Sequence, residues 1–81
     1  MGRTFGVDTN VPPSKLLARA RRTASENGAT FVGDERSGHF SHEMVEGENR
    51  MLGETVVVTI TGKHWLLPWT VIEVRLRELV T

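Results

Sequence analysis

The sequence predicts a single α+β domain in which an antiparallel sheet carries two helices packed on one face. Three observations predict this class. Residues 55–61 are mostly β-branched and alternate as a strand does, and residues 15–27 place apolar side chains at helical spacing. Short turn-rich segments separate the other strands, which is typical of antiparallel pairing. The expected order is β-α-β-β-β-α, with one strand more if the central hairpins are counted separately, and the 81 residues form one domain, 1–81.

The N-terminal segment, residues 3–9, is predicted to be a strand. Phe5 and Val7 alternate there with polar neighbours, as in a short, half-buried strand. Pro12 and Pro13 end this strand, because proline cannot donate to the hydrogen-bond ladder of a sheet.

The first helix is predicted over residues 15–27. Either Ser14 is its N-cap or Pro13 occupies its first turn. Gly28 supplies the positive φ that commonly ends a helix, and residues 29–32 follow as a short strand. The apolar stripe of this helix is narrow and consists of Leu16, Leu17, Ala20 and Ala24.

The middle of the chain predicts further antiparallel strands. After a turn at residues 33–38, residues 39–45 alternate, with Phe40, His42 and Met44 on one face. A turn at residues 47–49 is expected because it contains Gly47, and a strand resumes near Arg50. Residues 53–54 form a second turn or a bulge.

The C-terminal segment, residues 70–81, fits two patterns. Ile72, Val74 and Leu76 alternate as in a strand, but Ile72, Leu76, Leu79 and Val80 also have helical spacing. We favour the helix, because it accounts for Leu79 and Val80 and lets Pro68 start the segment. It also makes Glu73 and Arg77 an i,i+4 pair in the favourable orientation.

The composition narrows the range of functions. Ten basic and ten acidic residues cancel, with an excess of positive charge in residues 1–28 and of negative charge in residues 29–54. This balance gives no overall attraction to nucleic acid, and the basic first helix, with Lys15, Arg19 and Arg22 on one stripe, is read as a solvated face. The chain has no cysteine and no apolar run long enough to span a membrane. The N-terminus lacks the apolar core of a signal peptide, so we expect a cytoplasmic protein.

Several short motifs together resemble one protein family. They are GHFS at residues 38–41, a glycine turn at Gly47, VTIT at residues 58–61, LLPW at residues 66–69 and VIEVRLREL at residues 71–79. In layout and motifs the chain resembles the polyhydroxyalkanoic acid system (granule-region) proteins, a group of short bacterial proteins. The resemblance implies an association with hydrophobic polymer granules, and it implies no catalytic residues.

The three histidines offer an alternative function. A small enzyme or a metal-binding protein could use His39, His42 or His64. However, His39 and His42 are three apart on a predicted strand and point to opposite faces, so they cannot chelate one ion. No nucleophile motif or phosphate-binding loop is present in the sequence. We therefore expect a non-catalytic protein with no cofactor and no metal site.

The segment between the last strand and the last helix is the best candidate for a binding site. Trp65 and Trp69 bracket Leu66, Leu67 and Pro68 there. Two interpretations stay open: the tryptophans seal the end of the core, or one of them is exposed and anchors a partner. The candidate residues for binding a partner or an apolar ligand are Trp65, Leu66 and Trp69. The expected function is a non-catalytic binding or assembly module whose partner is a second copy of the chain, another protein or a hydrophobic polymer surface.

Overall fold

The computed structural model describes residues 2–80, which form a five-stranded sheet and two α-helices. The α+β class and the placement of the first and last helices are therefore confirmed. The sheet contains one strand more than the shorter of the two expected orders. The elements are β1 (Arg3–Asp8), α1 (Pro13–Glu26), β2 (Thr30–Gly33), β3 (Ser37–Ser41), β4 (Val45–Leu52), β5 (Thr55–Lys63) and α2 (Trp69–Val80).

The strands are arranged in the order β1-β5-β4-β3-β2, and every neighbouring pair is antiparallel. Strands β2 to β5 form a meander of consecutive hairpins. The first strand of the chain, β1, pairs with the last strand, β5. The two edge strands, β1 and β2, are therefore the two strands that α1 connects. The order of the strands could not be predicted from the sequence, because β-branched alternation does not specify which strands pair.

Helix α1 begins and ends as the sequence indicates. Pro13 is its first residue, and the carbonyl of Pro12 accepts hydrogen bonds from the backbone N–H groups of Lys15 and Leu16. No side chain caps this end, so of the two alternatives the structure contains the proline start and not a Ser14 cap. Gly28 follows the helix with a φ of 69° and lets the chain turn into β2.

Residues 69–80 are helical, so the helix interpretation of the C-terminal segment is confirmed. The carbonyl of Pro68 accepts the first hydrogen bonds, from Val71 and Ile72. The i,i+4 pair also forms, with 3.5 Å between Arg77 Nε and Glu73 Oε2. Thr81, to which the predicted helix extended, lies outside the described residues.

The predicted boundaries between residues 39 and 50 were wrong, whereas the turn at residues 53–54, one of two alternatives, is confirmed. Strand β3 ends at Ser41, and residues 42–45 form the turn, closed by hydrogen bonds between His42 and Val45. Residues 47–49 do not turn but continue through β4, which has an irregular register between Glu46 and Gly47. Gly47 is buried in the sheet, where its missing side chain makes room for an aromatic ring. A glycine needed for close approach was thus mistaken for a turn residue.

The fully buried core lies beneath α2. It contains apolar side chains from β1, β5 and α2, of which Ile60 is the most buried at 1% exposed. Thr9 is also buried and ties the two ends of the domain together, since its hydroxyl donates to the carbonyl of Val80 and accepts from the N–H of Val11. The buried apolar residues are Val7, Val56, Val58, Ile60, Ile72 and Val80.

Candidate functional site: a cavity between helices and sheet

A cavity of about 960 Å³, open to solvent, lies between the sheet and the two helices and reaches the core residues Val56, Val58 and Ile60. Its position follows from how the helices sit on the sheet. Helix α2 packs on β1, α1 packs on β2, and the helices contact each other, so the middle strands have less helix above them. No residue of α1 is fully buried, although this helix carries an apolar face. The space beneath α1 is therefore only partly filled by side chains.

Two phenylalanines form the floor of the cavity on β2 and β3. The ring of Phe31 lies over Gly38, where an added Cβ would come within 2.5 Å of its Cζ atom. The ring of Phe40 lies over Gly47 on the next strand, where an added Cβ would come within 2.7 Å. Each ring thus covers a glycine on a neighbouring strand, which lets the aromatic side chains lie low against the sheet. The result is an apolar floor with open space above it.

The walls of the cavity are apolar and come from both helices. Leu16, Ala20 and Ala24 line it from α1, at the i, i+4 and i+8 positions of the predicted stripe. Two of these three are alanines, whose short side chains do not reach the floor. From α2 and the preceding loop the lining residues include Leu67, Val71, Ile72, Leu76 and Leu79. Charged side chains of both helices, among them Arg22 and Arg75, lie at the rim.

Two arginines of α1 hold this helix in place over the cavity. Arg19 Nη1 donates to the carbonyl of Leu79 at 3.2 Å, at the end of α2. Arg21 Nη2 donates to the carbonyl of Gly33 at 3.3 Å, at the end of β2. Arg19 is only partly exposed, so the solvated stripe expected from Lys15, Arg19 and Arg22 is incomplete. These bonds satisfy carbonyl groups at the last turn of a helix and at the end of a strand.

Polar side chains line the cavity both at its rim and on its floor, and one of them has a buried atom without a hydrogen-bond partner. The side chain of Asn49 lies on the floor, and its buried Oδ1 accepts no hydrogen bond. His42, in the β3–β4 turn, also lines the cavity, and its Nδ1 accepts a hydrogen bond of 3.0 Å from the N–H of Met44. At the rim, backbone N–H groups of Ser37 and Arg36 donate to the Asp34 carboxylate and lower its pKa from the usual value of 3.8.

The structure does not bring the three histidines together. His39 lies on the open face of the sheet, His42 lies in the β3–β4 turn, and His64 lies in the loop after β5. Within residues 2–80 no three His, Asp or Glu side chains are grouped so that they could hold a metal ion. The alternative of an enzyme or metal protein stays a prediction, to be tested by elemental analysis and by a His42→Ala variant.

The two tryptophans of the predicted site have different environments. Trp65 is 81% exposed and Leu66 is 61% exposed, in the loop between β5 and α2. The imidazole of His64 stacks beside the Trp65 indole, with 6.0 Å between the ring centroids. We call these two residues, Trp65 and Leu66, the exposed corner.

Trp69, in contrast, is part of the packed structure. Its ring centroid is 6.0 Å from that of Phe5. Arg3 and Lys63 place their cationic groups over the same indole, 5.0 Å and 5.3 Å from its centroid. Lys63 Nζ also donates to the carbonyl of Leu67 at 2.7 Å, which fixes the loop. Of the three residues predicted to bind a partner, only Trp65 and Leu66 are therefore displayed to solvent.

Sequence reasoning missed the cavity. From the sequence, Phe31, Phe40 and Gly47 are recognised only as strand or turn residues. A local pattern does not show that a ring on one strand covers a glycine on the next. The pair of alanines at helical spacing in α1 was a usable signal, because alanine side chains fill little volume between a helix and a sheet.

No helix among the described residues has the length and apolar character needed to cross a membrane. Comparison of the chain with protein-family models, curated proteins and solved structures finds no match. The resemblance to the polyhydroxyalkanoic acid system proteins therefore stays a prediction, and the function has to be argued from the site itself.

Proposed function

We propose that this protein is a non-catalytic binding module that holds a small apolar molecule in the cavity between its sheet and its helices. The observation that carries the proposal is the cavity of about 960 Å³. Pockets for small molecules have volumes of about 300–1,000 Å³ and are lined mainly by apolar and aromatic side chains. We place this activity in the cytoplasm, as the sequence predicts.

The physical reason for binding is the apolar surface that the protein alone leaves incompletely covered. Phe31, Phe40 and Met51 face the helix side of the sheet but are only partly buried. Each 100 Å² of apolar surface removed from water contributes about 2.5 kcal/mol. A ligand that fills the space above the phenylalanine floor would complete the core and bind by the same effect that folds the domain.

The proposal is tested with the environment-sensitive dye N-phenyl-1-naphthylamine, whose fluorescence rises in apolar sites. We expect the wild-type protein to bind it with a stoichiometry of about one. The variant Ala20→Leu extends a side chain from the inner face of α1 into the cavity and should abolish binding. The matched control is Ala18→Leu, which adds the same group at an exposed position of the same helix.

Binding that survives in Ala20→Leu as fully as in Ala18→Leu would contradict the proposal, because the dye would then occupy another part of the surface. Absence of dye binding in the wild type would also contradict it. Circular dichroism of both variants shows whether the fold is kept.

A second candidate function is docking on an apolar polymer granule through the exposed corner. The exposure of Trp65 and Leu66 supports it, since large apolar side chains in solvent are commonly used as anchors. The segment from residue 55 to residue 72 also carries no acidic residue that would oppose contact with a surface of negative charge.

Co-sedimentation with polyhydroxyalkanoate granules tests this second function. We expect Trp65→Ala to lose most of the binding and to keep the stability of the wild type. The control Leu52→Ala removes another exposed apolar side chain, at the end of β4, where it pairs with the first residue of β5. Equal retention of both variants on the granules would count against a role of the corner. Sedimentation of the free protein also shows whether it forms a homodimer, which is one of the predicted alternatives.

A further inference from the structure

The inference concerns the polar atom on the cavity floor, Asn49 Oδ1. Asn49 lies on β4 between Gly47 and Met51 and faces the helices, in register with Val58 of β5 and Gly38 of β3. The residues that adjoin the Asn49 amide on the floor are apolar or glycine. An apolar residue of similar size would fit such a position without leaving a polar atom unpaired.

Oδ1 of Asn49 is buried and has no hydrogen-bond donor. Buried oxygen atoms in proteins are nearly always paired, and one that is not requires a specific explanation. The atom lies above Gly38, where an added Cβ would be 2.9 Å from it and 2.5 Å from Cζ of Phe31. The tip of the Phe31 ring is therefore beside the oxygen, and an aromatic ring offers it no N–H or O–H group.

Phe31 can move away from this position more easily than a core residue. It lies on β2, a four-residue strand at the edge of the sheet, and it is only partly buried. A turn of its ring toward solvent would open Oδ1 of Asn49 to a molecule in the cavity. The oxygen is an acceptor, so it would pair with a donor and repel a carboxylate.

We propose that the ligand of the cavity is a neutral, mainly aliphatic molecule that carries one hydroxyl or similar donor, and that this group donates to Oδ1 of Asn49. The inference rests on the proposed function and names the class of its ligand. The apolar walls bind the aliphatic body, and the amide selects the donor. Selectivity of this kind is strong, because a ligand without the donor leaves the buried acceptor unpaired.

The experiment compares two ligands of equal size, 1-decanol and 1-methoxynonane, as competitors of N-phenyl-1-naphthylamine. The alcohol can donate a hydrogen bond and the ether cannot. We expect the wild-type protein to bind the alcohol about tenfold more tightly than the ether, the effect of one net hydrogen bond of ordinary strength. Decanoate should bind more weakly than the alcohol, since it can only accept at neutral pH.

The variant Asn49→Leu removes the acceptor and should reduce the preference for the alcohol to about onefold. The control Glu48→Leu makes the same kind of change at the neighbouring residue of β4, which is exposed on the opposite face of the sheet, and should keep the preference. Equal affinity of the wild type for alcohol and ether overturns the inference, as does a preference that persists in Asn49→Leu. In both cases dye binding itself shows that the proposed function still stands.

Absence of dye binding in the wild type overturns both the proposed function and this inference. If Asn49→Leu does not fold, the comparison of alcohol and ether on the wild-type protein decides alone.

Discussion

The two halves of the space between sheet and helices are filled differently. Beneath α2, side chains of β1, β5 and α2 meet in a closed core, and all six fully buried apolar residues identified in residues 2–80 lie there. Beneath α1 no residue of the helix is fully buried, and a cavity of about 960 Å³ opens there above β3 and β4 and reaches the core residues Val56 and Ile60. One sheet thus supports a closed half and an open half.

The difference comes from the size of the residues that face the sheet. Helix α2 presents Ile72, Leu76 and Val80 to the sheet, whereas α1 presents Leu16 followed by the smaller Ala20 and Ala24. In the open half, on the helix-covered face of the sheet, glycines let two phenylalanine rings lie close to the strands. The closed half therefore provides most of the stability and the open half provides room. A domain of this size buries a smaller fraction of its surface than a larger one, so such unfilled space lowers its stability unless a ligand occupies it.

The largest expected effect is in the closed half. Ile60→Ala should lower the free energy of unfolding by about 4 kcal/mol, because Ile60 is 1% exposed and its loss leaves a cavity. Met51→Ala, in the open half, should cost only about 1.5 kcal/mol, because Met51 already borders empty space. Urea denaturation measures both values. Equal losses would mean that the halves do not differ in packing.

The next effect concerns the link between β1 and α2. Thr9→Val keeps the size of the side chain but removes the hydroxyl that donates to Val80 and accepts from Val11. The loss should be about 2 kcal/mol, since two backbone groups lose their partner in a buried place. Thr4→Val serves as the control, because the Thr4 hydroxyl meets that of Thr59 at the surface. A loss for Thr9→Val no larger than for Thr4→Val would show that the link contributes nothing.

A gain is expected where the open half is filled. Ala20→Leu should raise the free energy of unfolding by about 1 kcal/mol in the absence of ligand, because the added side chain occupies part of the cavity. Ala18→Leu should change it by less than about 0.5 kcal/mol, since Ala18 is exposed. Thermal unfolding of the two variants gives the comparison. Destabilisation by Ala20→Leu would indicate that the space is not free.

The smallest effect is at the turn between β2 and β3, on the rim of the open half. Backbone N–H groups of Ser37 and Arg36 lower the pKa of Asp34 from 3.8, so its carboxylate stabilises the folded state above that pH. This contribution is lost as the pH falls below 3.8 toward the lowered pKa of the folded state. The difference in stability between wild type and Asp34→Ala should shrink over that range, as urea denaturation at several pH values would show. A difference that is independent of pH would exclude the charged carboxylate as its source.

The elements of the closed half were predictable from the sequence. Alternation of Val56, Val58 and Ile60 predicts β5, and the spacing of Ile72, Leu76 and Val80 predicts α2, because both patterns record which side chains are buried. In the open half the same reasoning predicted α1 but not the bounds of β3 and β4. Gly47 lies inside a strand and makes room for a ring from the neighbouring strand, and a local pattern cannot distinguish that use of glycine from a turn.

The candidate site was predicted only in part for the same reason. The sequence indicates a site at Trp65, Leu66 and Trp69, because these residues are large, apolar and close together in the chain. However, Trp69 packs against Phe5, which is 64 positions earlier in the chain. The cavity depends on the small side chains of α1 and on the glycines of β3 and β4. These segments are brought together only by the order of the strands in the sheet.

The connection made by α1 has a geometric consequence. With a rise of about 1.5 Å per residue, its 14 residues extend about 21 Å. Five strands spaced about 4.8 Å apart place the two edge strands about 19 Å from each other. The chain between β1 and β2 must therefore cross the whole width of the sheet, and α1 is long enough to make up most of that crossing. The cavity thus lies beneath a segment that is covalently attached to both edges of the sheet.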